Sequence, residues 1–307
     1  MKVEQKNSLR ERIVIASGLI RKSFSELKKH DPLRMAGATA FFTTFALPPI
    51  LILLFQLFQV FLSRRMLGSE IREMLTKTVG PGGADAIRET ARGFRTLMTN
   101  WFTATLGFLF LMFVATTLFS VIKNTVNEIW NIQVKSKPGL KFRLQLRARS
   151  LAIIFIAGML FLLGIFLDSV EVLSGNYIDK IWPGGGRYFK GTLNEIVGAV
   201  VVTSWFIILF RFVGDARPAW KATIVGGILT GILFSIGKSV LSYLMQTSNI
   251  GKIYGPSGPI VLILLFVFYS SFILYFGASF IKVYSEALHL PLKPVSHAYR
   301  YQLRKIV

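Results

Sequence analysis

Residues 43–54 read TTFALPPILILL, an apolar run with two adjacent prolines, Pro48 and Pro49, at its centre. Each proline removes a backbone donor and clashes with the preceding turn, so in a water-soluble protein the pair would usually end a helix. In hydrocarbon the freed carbonyls must instead find neighbouring helices, hydroxyls or water. The flanks decide between these cases. Apolar residues continue from Met35 to Leu62, longer than the roughly 20 needed to cross a bilayer. The stretch is the bend of a membrane span.

Five further runs have that character: Trp101–Val121, Leu151–Leu167, Ile196–Phe210, Ala222–Leu244 and Pro259–Ile281. The chain is 52% hydrophobic yet carries a net charge of +21. That combination suits a multi-spanning membrane protein whose charge lies between apolar segments. Lys and Arg set the orientation. With both termini cytoplasmic, the inside segments hold 24 basic residues and the outside segments 11. This bias accounts for most of the positive charge, and no motif gathers it for nucleic acid, so no nucleic-acid partner is expected.

The expected fold is all-α: six transmembrane helices, an amphipathic N-terminal helix and a short helical extracytoplasmic cap. Residues 1–33 form the cytoplasmic N-terminal segment, 34–284 the membrane domain with its cap at 63–100, and 285–307 a cytoplasmic tail. Within 9–29, Ile13, Ile15, Leu19, Ile20, Phe24 and Leu27 make a broad apolar stripe with basic residues opposite, the pattern of a helix lying on the anionic inner leaflet. Lipids of that leaflet are the expected partners. The N-terminus lacks the pattern of a cleavable signal, so the first span is expected to stay in the protein. The sequence leaves the oligomeric state open.

Within the first span Asp31 is placed to cap the helix and Pro32 to start it. Pro48 and Pro49 deprive the carbonyls of Thr44 and Phe45 of their donors, and the Thr43 and Thr44 hydroxyls stand near enough to help. Two readings follow: a kinked helix lining a polar pathway, or a bend that only packs. Lys238, inside the fifth run, poses a similar choice between function and snorkelling. On the same helix Gly227 and Gly231 form a GxxxG with Ser235 continuing the spacing, a close-packing pattern.

Several chemistries are excluded. There is no cysteine, hence no disulfide, thiolate metal site or cysteine nucleophile. His30, His289 and His297 stand far apart without metal-ligand spacing, and no cofactor is expected. GILFSIGKS (231–239) has its first glycine one residue too early for a phosphate-binding loop. GPSG (255–258) resembles the serine motif of rhomboid intramembrane proteases, but no histidine lies in any span to act as its base. Ser257 reads instead as the cap of the sixth helix.

Together, Asp31 with AGATAFFTTFALPPILIL, NEIW at 127–130 and YGPSGPIVLILLFVFYSSFILYFGASF at 254–280 resemble the YihY/BrkB family of bacterial inner-membrane proteins. The matching positions include Asp31, Asn127, Trp130, Tyr254, Gly255 and Gly277. In that family the sixth helix commonly ends in Gly-Ala-Glu; here Gly277 and Ala278 precede Ser279, so an intramembrane carboxylate is missing. The resemblance implies a multi-pass protein of the inner membrane, with a transport role suggested and no settled substrate. It also brings the label ribonuclease BN and an association with serum resistance. A transporter or flippase-like carrier best explains the bent helix and Lys238. A non-catalytic envelope or interaction protein is the alternative. A tRNA-processing ribonuclease fits least, for want of metal ligands or an acid–base pair, and the chain is expected not to be an enzyme.

Overall fold

A computed structural model describes residues 17–58, 101–135, 185–247 and 258–302, together with Asp85, Glu89, Ile156 and Met159. Residues 17–28 form a helix, α1. Five long helices follow: α2 (Pro32–Phe58), α3 (Trp101–Ile129), α4 (Gly185–Phe212), α5 (Trp220–Thr247) and α6 (Gly258–Ala287). They cover five of the six apolar runs. The third run, Leu151–Leu167, lies outside the described residues apart from Ile156 and Met159, both helical and exposed. The cap at 63–100 is likewise outside them, except that Asp85 and Glu89 are helical. Tyr254, Gly255 and Ser257 fall outside as well.

Among the described residues, two helical stretches are long and apolar enough to cross a membrane, Trp220–Leu241 of α5 and Val261–Ala287 of α6, and Ile196–Phe212 of α4 is a shorter apolar helix. Helix α6 lies centrally among those described, against α2, α5 and part of α3, while α2 packs on α3 and α5 on α4. Glycines permit the closest approaches. A Cβ at Gly227 or Gly231 would run into Ile207 or Thr203 of α4, so the GxxxG pair faces that helix. Ser235 donates its hydroxyl proton to the Gly231 carbonyl, 3.0 Å away. Gly277 admits the Thr230 hydroxyl and the Phe210 ring against α6.

The outer face of α5 repeats every fourth residue: Trp220, Ile224, Ile228, Ile232, Ile236 and Val240 are exposed. One apolar row on an otherwise packed helix is what a surface facing lipid requires. The main buried core instead sits toward one end of the bundle, where Leu27, Trp130, Phe210, Val213, Tyr275 and Ile281 meet.

The all-α expectation needs a correction at that same end. Four three-residue strands, β1 (Ile132–Val134), β2 (Ala216–Pro218), β3 (Leu292–Pro294) and β4 (Ala298–Arg300), form two antiparallel pairs. β1 pairs with β4, setting Gln133 opposite Tyr299, and β2 with β3, setting Arg217 opposite Lys293. Each strand is too short for a readable alternation and finds its partner far along the chain. Pro218 and Pro294 fit because every strand of a two-stranded sheet is an edge. The pairs tie the segments after α3, α4 and α6 together.

The helices also outrun their apolar runs. α3 continues two turns past Val121 and α6 more than one turn past Ile281. Apolar composition stops where lipid stops; a backbone ladder does not have to.

A charged latch as candidate functional site

Helix α3 emerges from its apolar run carrying Lys123 and Asn127, four residues apart and therefore on one face. Asp215, in the short link between α4 and β2, projects a fully buried carboxylate onto that face. Lys123 Nζ lies 2.8 Å from Asp215 Oδ2. Asn127 Nδ2 donates to the same oxygen at 2.8 Å, and the Asp215 N–H donates to Asn127 Oδ1 at 2.7 Å. On the other carboxylate oxygen, His297 Nε2 stands 3.3 Å away, brought there by the turn between β3 and β4.

Burial alone would raise the Asp215 pKa, but the Lys123 ammonium, the Asn127 amide and His297 outweigh it and hold the carboxyl below its ordinary value. A charge so deep is tolerable only with such partners. Close packing completes the joint. Trp130, fully buried, donates its indole N–H to the Ala278 carbonyl at 2.9 Å. A Cβ on Gly214 would sit 2.7 Å from the Trp130 ring and 3.3 Å from Asn127 Oδ1, so the residue before Asp215 has room for glycine alone.

A second charged group lies beside the first. Lys282 Nζ donates to Glu26 Oε1 at 2.6 Å and to Asn131 Oδ1 at 2.8 Å; Lys29 Nζ reaches Glu26 Oε2 at 2.6 Å. Burial works to raise the Glu26 pKa, yet the two lysines bring it down to about 2. His30, between Glu26 and Glu128 at 3.9 Å from each, is pushed below its ordinary pKa by burial and then by Lys282. Ser279 donates to the Ser23 carbonyl at 2.8 Å, fastening α1 to α6. Four segments far apart in sequence thus close one end of the bundle. Among the described helices, α3 and α4 are joined here through Asp215 rather than packed along their lengths.

From this end hydroxyls run inward along the α2–α6 contact. Thr39 and Tyr275 share a short hydrogen bond, and Thr125 also reaches the Tyr275 hydroxyl. One turn further on each helix stand Thr43 and Ser271, whose hydroxyls donate to the carbonyls of Thr39 and Val267, both at 2.7 Å.

The residues singled out from sequence divide accordingly. Asn127 and Trp130 lie in the latch, and Gly277 and Ser279 in the adjoining core. Asp31 precedes α2, but it is its carbonyl that accepts the Met35 N–H at 3.2 Å; its carboxylate lies 3.8 Å from Arg34. Its φ of 48° is not the extended backbone of an ordinary N-cap. The expected aid from Thr43 and Thr44 to the orphaned carbonyls is not what is found. Thr44 Oγ1 donates to the Ala40 carbonyl at 2.8 Å, so both hydroxyls serve carbonyls one turn back, the usual habit of helical threonine. Pro48 and Pro49 lie within α2, which runs on to Phe58. Lys238 is exposed, away from the latch.

Lys123, Glu26, Asp215, Lys282 and His297 are the site residues that sequence reading missed. Lys123 and Asn127 at helical spacing were a usable signal, as was Asp215, the sole acid between the fourth and fifth runs.

Residues 23–300 match the family described as virulence factor BrkB. The chain belongs to the virulence factor BrkB family. Similar proteins of this kind include UPF0761 membrane proteins from Pseudomonas aeruginosa (24% identical, covering 79% of this chain and 57% of theirs) and Haemophilus influenzae (24% identical, 86% and 93%). Another, from Pseudoalteromonas translucida, is 27% identical over 79% of this chain and 78% of its own. The chain spans little more than half the length of the first of these relatives. No solved structure matches. The chain is an integral membrane protein, as the names of its relatives and its own apolar helices agree.

Proposed function

We propose that this protein is a membrane carrier whose substrate passes between helices that the Asp215 latch holds together at one end. The observation that carries the reading is the buried Lys123–Asp215 pair, placed where α3 and α4 meet rather than in the middle of a packed interface. An ion pair sealed from water is a poor source of net stability but a good two-position fastener, since each charge can be satisfied in water once the joint opens. The hydroxyls of Thr39, Tyr275, Thr43 and Ser271 set a row of polar groups along the α2–α6 contact beyond it.

The accompanying topology is six spans in the inner membrane with both termini cytoplasmic. It is supported by the charge bias and by the meeting of α1, β1, β2 and β4 at one end. The exposed Ile20 and Phe24 of α1, beside Lys28 stacked over Phe24, suit contact with the anionic leaflet. A ribonuclease role is not proposed: the Asp215 carboxylate beside His297 is taken by Lys123 and Asn127, and the Glu26 carboxylate beside His30 by Lys282 and Lys29. The family description favours a second reading, an envelope protein acting through its surface.

Cysteine at position 44 of this cysteine-free chain separates the two. In oriented vesicles, Thr44→Cys is treated with a membrane-impermeant thiol reagent from the latch side, with and without Asp215→Asn. Weakening the latch by 1.4 kcal/mol would raise the open population, and so the labelling rate, by about tenfold. A cysteine equally inert in both backgrounds removes the carrier reading and leaves the envelope one.

A further inference from the structure

A cavity of about 320 Å³ opens where α6 ends, lined by Lys282, Ser285, Glu286, His289 and Arg300 and walled by Leu290 and Leu292. Ser285 is the anomaly in it. Elsewhere in these helices buried or half-buried hydroxyls donate to the carbonyl one turn back, as Thr39, Thr43, Thr230 and Ser271 do, which is the usual way to satisfy them. Among the described residues, the Ser285 hydroxyl is the sole buried side-chain polar atom without a partner. A hydroxyl so placed costs stability unless something occupies the cavity.

The other donors point to what that is. An ammonium has three N–H groups and a guanidinium five. Lys282 uses two, on Glu26 and Asn131, and Arg300 bonds Glu286 through Nη2. Against the remaining donors and the Ser285 hydroxyl, the lining side chains offer one carboxylate, Glu286, already held by Arg300. The cavity is rich in donors and short of acceptors. A bare helix C-terminus would repel an anion, but here the last turn is capped. His289, at φ 52°, reverses the chain, and the N–H groups of Leu288, Leu290 and His289 engage the carbonyls of Tyr284, Ser285 and Glu286. At about 320 Å³ the space is ten times the volume of a water and at the lower edge of small-molecule sites.

We propose that this cavity binds a phosphate group carried on a small organic body. The oxygens accept from Ser285, from the spare Lys282 N–H and from the Arg300 fork, a geometry suited to phosphate, while Leu290 and Leu292 face the substituent. The same group is presented by a phospholipid headgroup and by a soluble phosphomonoester. The site lies on the latch end but does not depend on the carrier reading.

Thermal unfolding of the full chain tests it. One arm titrates glycerol 3-phosphate in detergent against sodium chloride at equal ionic strength. The other compares nanodiscs of phosphatidylcholine with nanodiscs that also contain phosphatidic acid. Variants are Ser285→Ala, Arg300→Gln and, as a control, Lys293→Gln, an exposed cation outside the cavity. Saturable stabilisation is expected, with affinity about tenfold or more weaker in the first two variants and unchanged in the control. Ser285→Ala should itself unfold no earlier than the parent, because it deletes an unpartnered hydroxyl. A response to glycerol phosphate assigns a soluble ligand, a response to phosphatidic acid alone assigns a lipid, and either supports the site. The proposal fails if neither arm saturates, if Lys293→Gln weakens binding as much as Arg300→Gln does, or if Ser285→Ala binds like the parent, leaving a cavity that holds water.

Discussion

The proline stretch of α2 and the latch around Asp215 are opposites. The first is conspicuous in sequence, a double proline in an apolar run, and in the structure it lies within one continuous helix whose neighbouring threonines bond back to Thr39 and Ala40. The second is inconspicuous in sequence, one aspartate in a short link, and in the structure it collects a lysine, an asparagine and a histidine from two other segments. A local rule broken in sequence can be absorbed locally. A buried charge cannot, and must recruit partners from wherever the fold brings them. Buried charge therefore gathers its partners where the chain looks ordinary.

The largest test of that contrast is Lys123→Ala. It strands the buried Asp215 carboxylate, and breaking a buried pair from one side costs about 3–5 kcal/mol. Thermal unfolding in detergent should show it, and adding Asp215→Asn should recover much of the loss, because the uncompensated charge is gone. A single variant as stable as the parent would mean that water already reaches Asp215.

Next in size is Gly277→Val. Its side chain would collide with Thr230 and Phe210, and overpacking of this kind costs about 1–3 kcal/mol. The loss should appear as a lowered unfolding temperature. A variant of parental stability would show that the α4–α5–α6 contact yields, and that the rigidity assigned to this end belongs to the charges alone.

Acid should act on the latch end in two steps. Folded Glu26 has a pKa of about 2 against an ordinary 4.5, and Asp215 is also lowered. Groups depressed by folding bind more protons when unfolded, so their contribution is present above the unfolded pKa and is lost as pH falls through the window toward the folded one. His30 is lowered too, and the same sign places its loss just below pH 6.5. Unfolding temperature measured from pH 8 downward should fall modestly below 6.5 and further below 4.5. His30→Gln should remove the first step and keep the second; a profile flat to pH 4 would contradict both.

The sequence conveyed most of the helices and little of the latch, for reasons specific residues make plain. Lipid demands a long apolar run, so Ile196–Phe210 and Pro259–Ile281 stand out in any reading. The runs fade where the solvent changes, and Lys123 and Asn127, which continue α3, read as loop. β1 and β4 are three residues each, joined across most of the chain. The Asp215–His297 pair spans 82 positions, and nothing local to either residue announces the other. Of this end, Asn127, Trp130 and Gly277 were legible as landmarks, but not the charges that Asn127 serves.

The smallest effect is expected at the residues that attract the eye first. Replacing Pro48 and Pro49 by alanine restores two backbone donors to α2. Proline in a helix interior ordinarily costs about 3 kcal/mol relative to alanine, so where the fold already accommodates the pair, the exchange should leave stability level or raise it. Lys123→Ala should therefore unfold well below the parent and the double alanine variant at or above it, measured side by side in one detergent. Activity is the separate question. If the prolines hold α2 in the shape that the hydroxyl-lined path needs, the stable variant should fail to complement a deletion strain, and stability and function will have parted at this site while they fall together at the latch. A double variant that complements fully would make the prolines packing features. One that unfolds as early as Lys123→Ala would erase the contrast altogether, by showing that the bend, like the buried charge, holds distant parts of the molecule in place.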